Sequence, residues 1–140
     1  MASATMFSMS TDIRWKQRFS NFEKAFAELS SAVDRKSYDK LSQAGLIQMF
    51  ELVFELAWKT LKDKLEFDGL KTNSPRETLK TAFQNGYIQN GDVWIEALEN
   101  RNLLAHTYDE AKSDEARDLI REKYFSLLKD LHQTLKKASG

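Results

Sequence analysis

Apolar residues recur along most of the chain at steps of three and four, broken by short polar connections, which is the signature of successive amphipathic helices. From Asp12 to Arg35 they fall at Trp15, Phe19, Phe22, Phe26, Leu29 and Val33. That spacing is the seam of a helix packed nearly parallel or antiparallel to its neighbours, with Thr11 or Asp12 as cap. Large aromatics on one stripe imply deep burial, so core packing accounts for them better than an aromatic binding box. Arg14, Lys16 and Arg18 read as a solvated face.

A second helix is expected from about Asp39 to Gly69, and its centre is the most apolar part of the chain. Between Leu46 and Trp58 only Gln48, Glu51 and Glu55 are polar, at steps that place them on one narrow stripe. Lys59 stands four residues from Glu55 and Lys62 four from Glu66, the spacing of ordinary surface pairs. Glu51 has no basic residue at that spacing. It is the better candidate to face a functional cation elsewhere, because a buried carboxylate needs a partner.

The polar connection Gly69-Leu70-Lys71-Thr72-Asn73 leads into Ser74-Pro75-Arg76-Glu77, a helix start with Ser as N-cap, Pro at the first helical position and Glu closing a capping box. The helix is short, about Pro75 to Asn85, with Gly86 as its stop. Asn90-Gly91-Asp92 is a turn followed by a cap, and the next helix carries Val93, Trp94, Ile95, Ala97 and Leu98. A loop is expected around Asp109 to Lys112. Ser113-Asp114-Glu115 then caps a last helix reaching Lys136, with Ala116, Ile120, Tyr124, Leu127, Leu131 and Leu135 on one face and His132 at its rim. No strand-like alternation or internal repeat intervenes. The pattern predicts an all-α, antiparallel four-helix bundle with a short extra connecting helix, one domain over residues 11–138 behind a flexible leader of residues 1–10.

Composition narrows the chemistry. The 140 residues contain no cysteine, which removes disulfides, thiolate metal sites and thiol nucleophiles together. The two histidines, His106 and His132, are far apart in sequence, so no metal cluster is predicted and no cofactor is expected. With 21 basic and 21 acidic residues the chain has no global field, and any contact with RNA must come from a local patch. Lys71, Arg76 and Lys80 form the densest such patch and are candidates to flank a substrate groove. The first ten residues lack a signal-peptide pattern, and no run approaches the roughly 20 apolar residues of a membrane span. A cytoplasmic protein with no membrane association is the expectation. No glycine-rich phosphate loop is present, so the chain is not expected to transfer nucleotides itself.

The chemistry concentrates in Arg101-Asn102-Leu103-Leu104-Ala105-His106-Thr107-Tyr108, which gathers a guanidinium, an imidazole and a phenol within eight residues. At about 100° per residue, Arg101 and Tyr108 return to nearly one helical face, whereas His106 lies about 140° from Arg101. A flexible Arg could curl round, the helix could unwind before His106, or the two groups could meet across a dimer seam. The bland alternative is a helix-end hydrogen-bond network.

The pattern Arg-x-x-x-x-His-x-Tyr, with Asn after the Arg, resembles the signature of the HEPN family of small all-helical bacterial proteins. The blocks Phe50 to Lys62, Ser74-Pro75-Arg76-Glu77, Glu99-Asn100-Arg101-Asn102 and His106-Thr107-Tyr108-Asp109-Glu110 are similar to its nucleotidyltransferase substrate-binding branch, HepT-like toxins paired with a minimal nucleotidyltransferase antitoxin. The likeness runs from about Asp12 to Leu135. It implies metal-independent RNA cleavage in a composite cleft of a homodimer, and neutralisation by transfer of AMP from the partner enzyme to Tyr108.

The residues suit that chemistry. His106 could take the proton of a ribose 2′-hydroxyl or protonate the leaving oxygen, since imidazole titrates near neutrality. Arg101 would stabilise charge building on the phosphate. One imidazole cannot readily serve as both base and acid in a single step, whereas two facing motifs supply both. Asn102 could orient the ring or bind phosphate, and Glu51 could face Arg101 or orient His106. The other reading is a non-catalytic subunit that presents a substrate or nucleotide to the same partner.

Overall fold

The computed structural model describes residues 2–101 and 109–140, with side chains from Met9 onward. All the regular structure in them is helical. In chain order the elements are α1 (Ala2–Val33), α2 (Lys40–Phe67), α3 (Pro75–Gln84), α4 (Gly91–Glu99), α5 (Glu110–Leu119), a π-helical turn (Ile120–Tyr124) and α6 (Phe125–Ser139). Helical backbone is unbroken from α5 through the turn into α6.

The directions of the long helices follow from which residues meet. Arg14 pairs with Glu66 at 3.3 Å and Arg18 with Asp63 at 2.9 Å, so α1 and α2 run antiparallel. Phe26 stacks on Phe125 while Phe19 stacks on His132, so α1 is antiparallel to α6 as well. Gln43 meets Ser113 and Phe50 meets Tyr124, which makes α2 parallel to the α5–α6 helix. Helices that alternate in direction around one core form the expected bundle. The short α3 packs on α2 and on α4.

The predicted stripes supply the core. Trp15, Phe22 and Leu29 from α1, Leu46, Ile47, Phe50, Val53, Phe54, Ala57 and Leu61 from α2, and every predicted stripe residue of the last helix are buried. Phe26 and Val33 are only half-buried, at the edge where α1 meets α6. Trp94 carries α4 into this core, its ring 5.8 Å from that of Phe54.

Local chemistry sets several boundaries away from those the spacing predicts. Helix α1 starts at Ala2, well before Asp12, since no Gly or Pro stands in that stretch to stop it. Helix α2 is capped by Asp39, whose side chain accepts from the Ser42 N–H at 2.7 Å while Ser42 Oγ accepts from the Asp39 N–H. Ser74 caps α3 as expected, and Gly86 beyond it takes a φ of 78°, open to glycine at little cost. Asn90 precedes α4 in the left-handed conformation without a side-chain cap, and Gly91 is required next: a Cβ there would stand 2.7 Å from Phe83 Cγ.

The last helix starts at Glu110 rather than Ser113, so the expected loop up to Lys112 is helical. Asp109 is the cap, accepting from the Lys112 N–H at 3.1 Å. Ser113 is instead turned inward, where its Oγ accepts from the buried Gln43 at 2.8 Å. The basic side chains Arg14, Lys16 and Arg18 of α1 lie on a largely solvated face, where they pair with Glu66, Asp12 and Asp63. Glu66 is thereby taken by Arg14, and no Lys62 contact with it is present among the described residues. No helix among the described residues is long and apolar enough to cross a membrane.

Candidate functional site

Helix α4 ends at Glu99, and Asn100 forms its C-cap, donating its backbone N–H to the Glu96 carbonyl at 2.9 Å. Arg101 follows directly. Its Nε donates to the Leu98 carbonyl at 3.2 Å, which turns the side chain back along the last turn of α4. The guanidinium is exposed and has no carboxylate within ion-pair distance among the described residues. Asn102, His106 and Tyr108 lie outside the described residues.

Arg101 sits on the edge shared by two hollows. The first, about 450 Å³, is walled by α2 through Gln48, Phe50, Glu51, Leu52, Phe54 and Glu55. The second, about 320 Å³, lies between the start of α3 and the end of α4, lined by Ser74, Pro75, Arg76, Leu98 and Glu99. One face offered to the guanidinium is therefore mostly apolar and the other polar.

Of the three basic candidates, the structure brings one to this place. Arg76 shares the polar hollow and donates from Nη2 to Glu99 Oε1 at 2.9 Å. Lys71 and Lys80 are exposed and line neither hollow. Both members of the Arg76–Glu99 pair are solvated, so the ion pair is weak and Arg76 can exchange Glu99 for another anion.

The two carboxylates of the apolar hollow differ in environment. Glu55 accepts from the Trp58 indole N–H at 2.9 Å and pairs with Lys59 at 3.2 Å, the surface pair its spacing predicts. Burial alone would raise its pKa, but these two partners, with a further contribution from Arg101, hold the carboxyl below its ordinary value. Glu51 shares the hollow with Arg101 and has no hydrogen bond or ion pair among the described residues. Desolvation against the apolar wall raises its pKa, although much of the side chain is exposed. Arg101 thus adds to what holds Glu55 low, whereas desolvation dominates at Glu51, the residue spacing had singled out.

A carboxyl whose pKa rises on folding favours the folded state most when protonated, and that advantage is lost as pH rises through the folded pKa. Glu51→Gln is therefore expected to raise the melting temperature slightly at pH 7 and to leave it unchanged at a pH below the ordinary carboxylate range. A lower melting temperature at pH 7 would show that Glu51 is engaged in an attractive pair.

Behind Arg101 lies a polar chain built on the buried Tyr124 and reaching solvent at Glu96 and Lys123, which the sequence did not announce. Asn100 Nδ2 donates to Tyr124 Oη at 2.7 Å, and Tyr124 Oη donates to Glu96 Oε2 at 2.7 Å. Lys123 Nζ completes it, donating to Glu96 Oε1 at 2.8 Å. Lys123 first, then Tyr124, holds the Glu96 carboxyl below its usual range, while burial and Glu96 push the Tyr124 phenol up to about 12. The signals available were the four-residue step from Glu96 to Asn100 and a lone hydroxyl in an otherwise aliphatic stripe. His132 lies far from this site in contacts: it stacks on Phe26 at 4.9 Å and hydrogen-bonds to Glu23 at 2.8 Å, the rim position expected.

Comparisons with known proteins agree with this architecture. A protein of Thermus thermophilus has a solved structure that superposes with a TM-score of 0.74, at 28% identity over 82% of this chain and 98% of its own. A Haemophilus influenzae structure, described as revealing the fold of a substrate binding domain of a nucleotidyltransferase, gives 0.65 at 25% identity over 89% of this chain and 98% of its own. A Haemophilus influenzae protein named probable ribonuclease HepT is 35% identical over 75 residues, 50% of this chain. The chain spans about half of that relative's length, 51%. The model of the family described as nucleotidyltransferase substrate binding protein like matches residues 17–137. With nearly the whole bundle inside that match, the chain belongs to the nucleotidyltransferase substrate binding protein-like family, among HepT-like relatives.

Proposed function

We propose that this protein is the toxin of a toxin–antitoxin pair: a homodimeric, metal-independent RNA endonuclease that uses Arg101 and His106 and is neutralised when a partner nucleotidyltransferase adds AMP to Tyr108. The observation that carries the reading is Arg101 itself. Its guanidinium stands exposed between two hollows, bonded to a backbone carbonyl and with no carboxylate within ion-pair distance among the described residues. A guanidinium at a concave edge that is in no ion pair among the described residues is suited to an incoming phosphate. Arg76 in the adjoining hollow supports a second phosphate contact, with Asn102 and Glu51 in supporting roles and Lys71 and Lys80 at the periphery. The name of the ribonuclease relative points the same way.

A half-site with one imidazole, and the exposed Leu52 beside Arg101, 51% accessible, support self-association across this face. Sedimentation at micromolar concentration should give about twice 16.2 kDa. The activity test uses purified protein free of adenylate, incubated with cellular RNA. Cleavage should persist in EDTA and fail on RNA methylated at the 2′-oxygen, because the attacking group is then blocked. If the parent protein cuts no RNA and its expression harms no cell, the second reading takes over. That reading, a non-catalytic subunit presenting substrate to a nucleotidyltransferase, is favoured by the description of the Haemophilus influenzae structure.

A further inference from the structure

The end of α4 is held twice by one residue. Glu96 accepts the Asn100 backbone N–H through its carbonyl, as any helix would arrange, and through Tyr124 its carboxylate also reaches the Asn100 side chain. The second hold comes from a different helix. Tyr124 is fully buried, its ring stacked on Phe50 at 5.8 Å and 23°, so the hydroxyl has little freedom to leave Asn100. Phe50 in turn walls the apolar hollow in which Arg101 sits.

The π-helical turn is what aims the hydroxyl. Ala116, Ile120 and Tyr124 follow one another at steps of four, and each such step turns an α-helix about 40° past a full turn. Two steps would carry Tyr124 about 80° round from Ala116, toward the margin of the buried face. The Phe125 N–H donates to the Ile120 carbonyl five residues back, and this widened turn keeps all three side chains inward. Such a turn costs a helix some of its hydrogen bonding, and here it places a phenol against the residue that precedes Arg101.

We propose that Tyr124, braced by Glu96, is a positioning residue: by clamping Asn100 it fixes the direction in which Arg101 leaves α4, and so where the guanidinium meets phosphate. The kinetic consequence rests on the ribonuclease reading; the clamp does not. Tyr124→Phe keeps the ring and its stack but removes the oxygen that Asn100 donates to. A guanidinium that must meet charge developing in the transition state loses more rate than affinity when it is displaced.

The test joins two readouts on the full chain. The Nε–Hε resonance of Arg101 is assigned by its disappearance in Arg101→Lys, then followed in Tyr124→Phe and in Asn100→Ala, the second variant serving if the first fails to fold. Both should shift or broaden the Arg101 signal while leaving that of Arg117 in place. Both should lower kcat for RNA by about ten- to a hundredfold with KM within about twofold. An Arg101 signal unmoved in a folded variant overturns the clamp, even if the melting temperature falls. A moved signal in a protein whose parent cuts no RNA upholds the clamp and removes the ribonuclease reading instead. Equal losses in kcat/KM through KM alone would also overturn it, since that is the mark of a binding contact and not of aim.

Discussion

Arg101→Ala and His106→Ala are each expected to lower RNA cleavage by at least about 100-fold, the size of effect seen when a charge-stabilising donor or a positioned proton-transfer group is removed. The Arg101 variant is the cleaner of the two, because its guanidinium is exposed and its removal leaves no buried charge without a partner. What the fold loses is one hydrogen bond, Nε to the Leu98 carbonyl, worth about 1 kcal/mol. Cleavage should therefore collapse while the melting curve hardly moves. Arg101→Lys should keep a small part of the rate, since an ammonium supplies charge without the paired donors of a guanidinium.

His132→Ala is the matched control. It removes the only other imidazole, together with the stack on Phe26 and the bond to Glu23, at a cost in stability of roughly 1 kcal/mol. Cleavage should be unchanged at temperatures where the variant is folded. An Arg101→Ala protein that still cuts at the parent rate, or a His132→Ala protein that does not cut, would remove the assignment of roles within the motif.

The sequence was informative where a single helix decides the outcome. The stripes of α1, α2 and the last helix are read from steps of three and four, and Ser74 and Pro75 start α3 through chemistry confined to four residues. It was less informative where two candidates compete locally. Asp109 and Ser113 can both cap, and the choice fell to Asp109 because Gln43, seventy positions away, claims the Ser113 hydroxyl. The π-helical turn is of the same kind: the steps of four in the last stripe hint at it, but only the partners of Tyr124 explain why the helix widens there and not elsewhere.

The candidate site shows the same division. Spacing marked Glu51 as the carboxylate lacking a local partner; it lines one hollow with Arg101 and is in no ion pair among the described residues. Spacing could not show that Arg76 would arrive beside Arg101 while Lys71 and Lys80 would not, because that depends on how α3 docks against α4. Charge density along the chain is a poor guide to charge density in space when a helix start separates the residues.

Tyr108→Phe is expected to abolish labelling by the proposed partner nucleotidyltransferase in the presence of ATP and magnesium, and with it any inhibition of RNA cleavage by that partner. The phenolic oxygen of Tyr108 would attack the α-phosphorus of ATP, forming a phosphodiester to AMP as pyrophosphate leaves and the phenolic proton passes to a base of the partner. The other three tyrosines are poor competitors. Tyr124 is fully buried between Asn100 and Glu96, Tyr87 donates to Asp68, and Tyr38 donates to the Ala32 carbonyl. Tyr108 stands immediately before Asp109, the cap of α5, and seven positions after Arg101, and both of those described residues have defined contacts. On the proposed reading, an adenylate on Tyr108 would add a negative charge and a nucleoside that compete with substrate phosphate for Arg101. Cleavage by the labelled parent should fall by at least about 100-fold, comparable to loss of the Arg itself. The Phe variant should go on cutting RNA and inhibiting growth when the partner is co-expressed, because nothing in the cleavage chemistry needs the phenol. Adenylate found on the Phe variant would place the acceptor elsewhere, and a fully labelled parent that cuts at its original rate would mean that the modification serves something other than inhibition.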